Sequence, residues 1–120
     1  MSLVLVSLSL ASTPHHVVYD CIAEAGVTCE LFEASPEDVA MRLELRHAVR
    51  PDESALQAAL DIYEQLILDA DDTEMECRLR LSAARVASEL GLEFTAKTHL
   101  KYVAMLGPEP YASEAAKQLR

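Results

Sequence analysis

The sequence predicts an all-α fold, antiparallel helical hairpins over residues 35–120, and three observations predict it. Leu, Ala, Glu and Arg dominate a chain of 120 residues that is 51% apolar and has only three glycines. That composition favours helix over a turn-rich β-protein. Apolar residues recur at helical spacing in several stretches. Stops at Gly91 and at Gly107-Pro108 leave almost no connection between consecutive apolar stripes, as tight helical hairpins require. The length suits one domain with one core. Six aromatic residues and no Trp make that core aliphatic.

Residues 1–34 admit two readings. In the helical one, an apolar helix at 2–11 breaks at Ser12-Thr13-Pro14, and "HHVVYDCIAEAG" forms a second helix ending at Gly26. In the other, "LVLVSLSL" and "VTCELFE" are strands of a β-α-β unit with alternating faces. The helical reading is preferred, because two parallel strands make a poor sheet and need cover on both faces. The opening run resembles the apolar centre of a signal peptide but lacks the basic residues before it, and it is too short to span a bilayer. It is expected to pack against the fold. The initial Met-Ser-Leu reads equally as native sequence or as a cloning remnant.

The first hairpin, 35–72, pairs "SPEDVAMRLELRHAV" with "ESALQAALDIYEQLILDADD" across a turn at 50–54. Ser35 suits an N-cap, Pro36 the first helical position, and Glu37 and Asp38 the positive end of the helix dipole. The second hairpin, 74–108, begins after the acidic run "DADDTEMECR", with Asp72 or Thr73 as N-cap. That run lacks the central glycine and final glutamate of a calcium loop and reads as a solvated linker. Met75, Leu79, Ser82, Ala83, Val86 and Leu90 lie near one face, and Phe94, Leu100, Val103 and Leu106 form the next apolar stripe. A last helix starts near Pro110 and occupies 110–120.

These spacings resemble a degenerate tetratricopeptide (TPR) repeat. The positions that carry the resemblance are Ala84, Gly91, Ala96, Leu100 and Pro108, with Ala59 and Tyr63 in the earlier unit. The helix-A aromatics and the alanine late in helix B that are usual in the family are replaced here by other residues, including Val103. The resemblance implies a short right-handed solenoid with a concave face lined mainly by the first helix of each pair. More weakly, the layout is similar to the TPR-like needle-subunit chaperones of type III secretion, through "CIAE" at 21–24, the repeats and the terminal helix. That would imply a chaperone holding an aggregation-prone segment.

Net charge is −10, which argues against nucleic acid or an anionic membrane as partner. Residues 1–76 hold 16 acids and 3 bases, and residues 77–120 hold 4 acids and 7 bases. Three cysteines, Cys21, Cys29 and Cys77, give no disulfide framework and point to a reducing cytoplasm. His15, His16, His47 and His99 do not share metal-ligand spacing with the cysteines, so no metal or other cofactor is expected. No phosphate loop, nucleophile elbow or Ser/His/Asp arrangement is present, so no catalytic residue is named.

The expected function is therefore a non-enzymatic adaptor or chaperone that binds a protein or peptide in its groove. Arg42, Arg46, Arg50, Arg78 and Arg85 are the candidates for recognising partner carboxylates through their bidentate forks. Two alternatives stay open. One is a small α/β domain with a redox or ligand-binding role, given that Thr13-Pro14-His15 is similar to the first helix start of glutaredoxin-like folds without their Cys-x-x-Cys. The other is a homo-oligomer that buries "LVLVSLSL" against a copy of itself.

Overall fold

A computed structural model describes the backbone of residues 8–9, 16–23 and 27–120, and side chains from residue 35 onward. The chain forms two compact units, Met1–Val39 and Ala40–Arg120.

The first unit carries strands β1 (Leu8–Ser9), β2 (His16–Ala23) and β3 (Val27–Ala34), ordered β1-β2-β3 with both pairings antiparallel. This overturns the helical reading of residues 1–34 and the helix of the β-α-β reading, while the strand that the β-α-β reading put at 27–33 is present as β3. The stretch taken as helix in either case, from His16 to Ala23, is a strand, and the sheet is antiparallel rather than β-α-β. The physical reason is in the residues. Val18, Tyr19 and Ile22 in β2 stand opposite Phe32, Leu31 and Thr28 in β3, and β-branched and aromatic residues favour a pleated strand over a helix. Only Glu24, Ala25 and Gly26 separate the two strands, too few for a parallel crossover but suited to a hairpin. The expected strand at 3–10 falls mostly outside the described residues.

From Pro36 on, the chain is helical, as the all-α expectation has it. It runs through α1 (Pro36–Val49), α2 (Glu53–Asp69), α3 (Thr73–Glu89), α4 (Glu93–Leu106) and α5 (Tyr111–Gln118). Each start has a local cause. The Asp38 N–H donates to Ser35 Oγ at 3.2 Å. Asp52 caps α2 by accepting from the Ser54 and Ala55 N–H groups, and Asp72 caps α3 by accepting from Met75 N–H at 2.7 Å. These carboxylates satisfy donors that the first helical turn leaves unpaired.

The turn after α3 is a Schellman motif. Leu92 N–H donates to Ala87 C=O at 2.8 Å, and Gly91 N–H to Ser88 C=O at 3.0 Å. Gly91 sits at φ 79°, where a side chain is strained, so one glycine reverses the chain between two long helices. Consecutive helices α2–α3, α3–α4 and α4–α5 pack together, and α3 also touches α5. The core between them is aliphatic, built on Leu56, Leu60, Leu79, Val86 and Val103, with Tyr63 as its largest fully buried side chain. Small residues allow close approach: Ala59, Ala83, Ala87 and Ala115 are fully buried, and Ala84 and Ala96 nearly so. Gly107 closes α4 against Cys77 and Val103. A Cβ there would lie 2.6 Å from Val103 C=O and 3.2 Å from Cys77 Sγ.

Two glycine substitutions separate backbone strain from crowding. At Gly91 an added Cβ meets nothing within 4 Å, so Gly91→Ala is expected to cost only the left-handed conformation, about 1 kcal/mol. Gly107→Ala forces backbone or core to move and is expected to cost more, about 1–3 kcal/mol. Urea denaturation of the two variants checks the order; a Gly107→Ala midpoint equal to wild type would contradict the packing described.

Candidate binding groove

Helix α3 is the element that others are tied to, and polar clusters hold it on two sides. On one side stands Glu44 of α1, whose side chain is 16% exposed. It accepts from Arg85 Nε at 2.9 Å and Nη2 at 3.0 Å on α3, and from the Tyr63 hydroxyl at 2.5 Å on α2. The bidentate fork holds the Arg85 guanidinium more firmly protonated than usual, against the opposing effect of burial. On the other side His99 of α4, 8% exposed, lies between Glu64 of α2 and Arg80 of α3. Arg80 Nη1 is 3.1 Å from His99 Nδ1, and His99 Nε2 is 3.4 Å from Glu64 Oε2. Arg80 can only donate, so Nδ1 is the acceptor and the proton sits on Nε2, directed at Glu64. Arg80 also bonds Glu76 at 2.9 Å and stacks 3.8 Å above the Tyr102 ring. The Tyr102 phenol bonds Glu76, which raises its pKa.

Between α3, α4 and α5 lies an open trough of about 880 Å³. α5 has 8 residues against 17 in α3, roughly 12 Å against 25 Å at ~1.5 Å per residue. Leu81, Ala84, Ala96, Leu100 and Leu119 form the apolar floor of the trough, with Ala84, Ala96 and Leu100 largely buried, while Glu114, Gln118 and Arg120 line it from the α5 end, so the lining is mixed and more polar than apolar. Arg85, Ser88 and Glu89 line it from α3, and Glu93 and Lys97 from α4. Glu89 and Glu93 flank the Gly91 turn at one end of the trough, each one helical turn from a base, Arg85 and Lys97.

The structure distributes the five candidate arginines differently from a single recognition face. Arg85 alone of them lines the trough, and its fork is already occupied by Glu44. Arg46 lies 3.6 Å from Asp52 with a side chain only 14% exposed, where it closes the α1–α2 turn. Arg42 and Arg78 are engaged within the molecule, and Arg50 is exposed just after α1. Of the repeat positions, Ala84, Ala96 and Leu100 contribute to the trough, while Ala59 and Tyr63 are core, Gly91 forms the turn and Pro108 follows α4. Sequence reasoning missed Ser88, Glu93, Lys97 and Leu119. The available signal was the stripe Leu81-Ala84-Ser88, beside the core stripe of the same helix, together with the brevity of the last helix.

Among the described residues, no three His, Cys, Asp or Glu side chains converge as metal ligands. No described helix is long and apolar enough to cross a membrane. Cys77 is fully buried, and burial beside Glu76 pushes its thiol pKa up, which disfavours the reactive thiolate. Met41, Leu45 and Val49 form an exposed apolar stripe on α1, opposite its buried Leu43. No family model, curated protein or solved structure matches the chain.

Two stability predictions follow from the clusters. Glu44→Ala leaves the buried Tyr63 hydroxyl without that acceptor and is expected to cost about 2 kcal/mol, whereas Arg85→Ala, at a half-exposed side chain, is expected to cost less than half of that. A double-mutant cycle by urea denaturation measures their coupling, and additive losses would show that the fork contributes nothing. For His99, burial outweighs the bond to Glu64, and the Arg80 charge adds to it, so its pKa falls below the ordinary 6.5. A depressed histidine pKa means the unfolded chain takes up the proton first. Stability is therefore unaffected by His99 above about pH 6.5 and falls as pH drops through that value toward the folded pKa. His99→Gln is expected to flatten the loss of Tm between pH 7 and 5; an unchanged pH profile would remove His99 as its source.

Proposed function

We propose that this chain is a non-enzymatic protein-binding module, an adaptor or chaperone that receives a helix or an extended peptide in the trough between α3, α4 and α5. The observation that carries this reading is the trough itself, in which a few apolar side chains lie among charged and polar ones on a helical scaffold held by the Glu44 and His99 clusters. Apolar anchors supply affinity in such grooves, and rim charges set register and partner choice. A TPR-like arrangement is part of the proposal. It is supported by the Schellman turn at Gly91, the α3–α5 contact between alternate helices, and the Glu44–Arg85 bridge joining α1 to α3. Under this reading the arginine fork of Arg85 shapes the rim, and the exposed or weakly engaged charges near it meet the partner. A cytoplasmic location belongs to the same proposal.

Ser88 gives the direct test, because it is exposed on the rim and lies outside the core. Ser88→Trp fills the trough without removing a packed side chain. Tagged wild type from the native host is expected to retain a stoichiometric partner that Ser88→Trp loses by about tenfold or more, with both proteins melting alike. Equal retention by the two proteins overturns the groove assignment. Arg46→Glu and Arg85→Glu are poorer tests, since each would set like charge against Asp52 or Glu44 and disturb the fold.

Self-association is the second reading, favoured by the exposed stripe Met41-Leu45-Val49. It predicts a mass in light scattering that rises with concentration and returns to monomer in Leu45→Glu. A small-ligand role for the N-terminal strands is the remaining alternative; its antiparallel hairpin lacks the crossover helix on which that expectation was built.

A further inference from the structure

Cys21 and Cys29 are directly opposed in the β2–β3 register. Spacing along the chain does not reveal this, because eight positions apart is no known pairing signature. The register does. Residues opposite one another on antiparallel strands share a face, with Cβ atoms about 4.5–5.5 Å apart and Cα atoms about 4.5–5.5 Å apart. A disulfide asks for Cα atoms about 4.4–6.8 Å apart and Cβ atoms about 3.5–4.5 Å apart, so the register meets the Cα requirement and the Cβ atoms need close by only about 1 Å. The hairpin has reason to need a staple there. The adjacent rung pairs Asp20 with Glu30, two like charges directly opposite, which weakens the ladder. The third cysteine, Cys77, is fully buried in the helical unit and takes no part.

We infer that Cys21 and Cys29 form an intramolecular cross-strand disulfide when the chain meets a disulfide oxidant such as oxidised glutathione. In the first step one cysteine thiolate attacks the oxidant, forming a mixed disulfide and releasing one glutathione thiolate. The opposed cysteine thiolate then attacks the protein-side sulfur and releases the second glutathione thiolate. Each released thiolate takes up one of the two protons lost by the cysteines. The protein loses two hydrogens, and the oxidant is reduced to two glutathione thiols. The bond clamps β2 to β3 across the repelling rung, so the hairpin becomes a site whose covalent state reports the redox surroundings. This is independent of the groove.

The experiment uses the full chain, reduced, freed of reductant and exposed to oxidised glutathione in native buffer and in concentrated urea. Free thiols are then alkylated, and the protein is cleaved after glutamate. No Lys or Arg precedes Arg42, so trypsin would leave both cysteines in one fragment, whereas cleavage after Glu24 separates them. The expected result is one alkylated cysteine, Cys77, and fragments from either side of Glu24 joined by a disulfide. Because the register brings the pair together, the native chain should form it at about tenfold or more lower oxidant-to-thiol ratio than the chain in urea. Cys21→Ser should leave Cys29 free or glutathionylated, with no internal bond. Three alkylated cysteines, mixed disulfides alone, a bond to Cys77, or equal pairing in urea would each overturn the inference.

Discussion

The carboxylate of Glu44 is the constraint on which the helical unit depends. It sits where three helices meet and accepts hydrogen bonds from two of them, through the Tyr63 hydroxyl and the Arg85 fork. A half-buried carboxylate would be costly if left unpaired. Here the two donors compensate, and Tyr63 can be the largest fully buried side chain because its hydroxyl has somewhere to go. The same interaction fixes how α3 lies against α1 and α2. Since α3 forms one wall of the trough, Glu44 acts on the groove without lining it.

The second cluster works from the opposite side of α3. Arg80 is held by Glu76, by the Tyr102 ring and by His99, and His99 in turn reaches Glu64 on α2. These contacts bind α2, α3 and α4 with directional bonds, whereas the aliphatic core holds them without direction. Close packing of alanines then brings α4 near enough for its Ala96 and Leu100 to share the trough with Ala84 of α3.

Much of the helical unit was legible in the residues. Asp72, Gly91 and Pro108 mark boundaries by mechanisms that operate within a few residues, namely capping, positive φ and loss of a donor. The structure places α3 and α4 where those signals put them. The arginines were less legible. Arg46 and Arg85 look alike in sequence, each on a helix with apolar neighbours. Only the pairing of distant elements shows that one closes a turn with Asp52 and the other answers Glu44, 41 residues away. Residues 16–23 show the opposite failure. Their β-branched and aromatic content was local information, but a helix-rich chain weighed against it, and the strand prevailed because β3 supplies a partner ladder.

The sequence by itself determined the helical character of residues 36–118, the helix caps, the Schellman turn and the aliphatic nature of the core. These depend on φ/ψ preferences, side-chain shape and hydrogen bonds that close within one or two turns. The tertiary structure alone decided which carboxylate answers which arginine, that His99 is buried between Glu64 and Arg80, that α3, α4 and α5 line one trough, and that Cys21 stands opposite Cys29. Each of these joins residues that no short-range preference connects, so each exists only once helices and strands have found their partners.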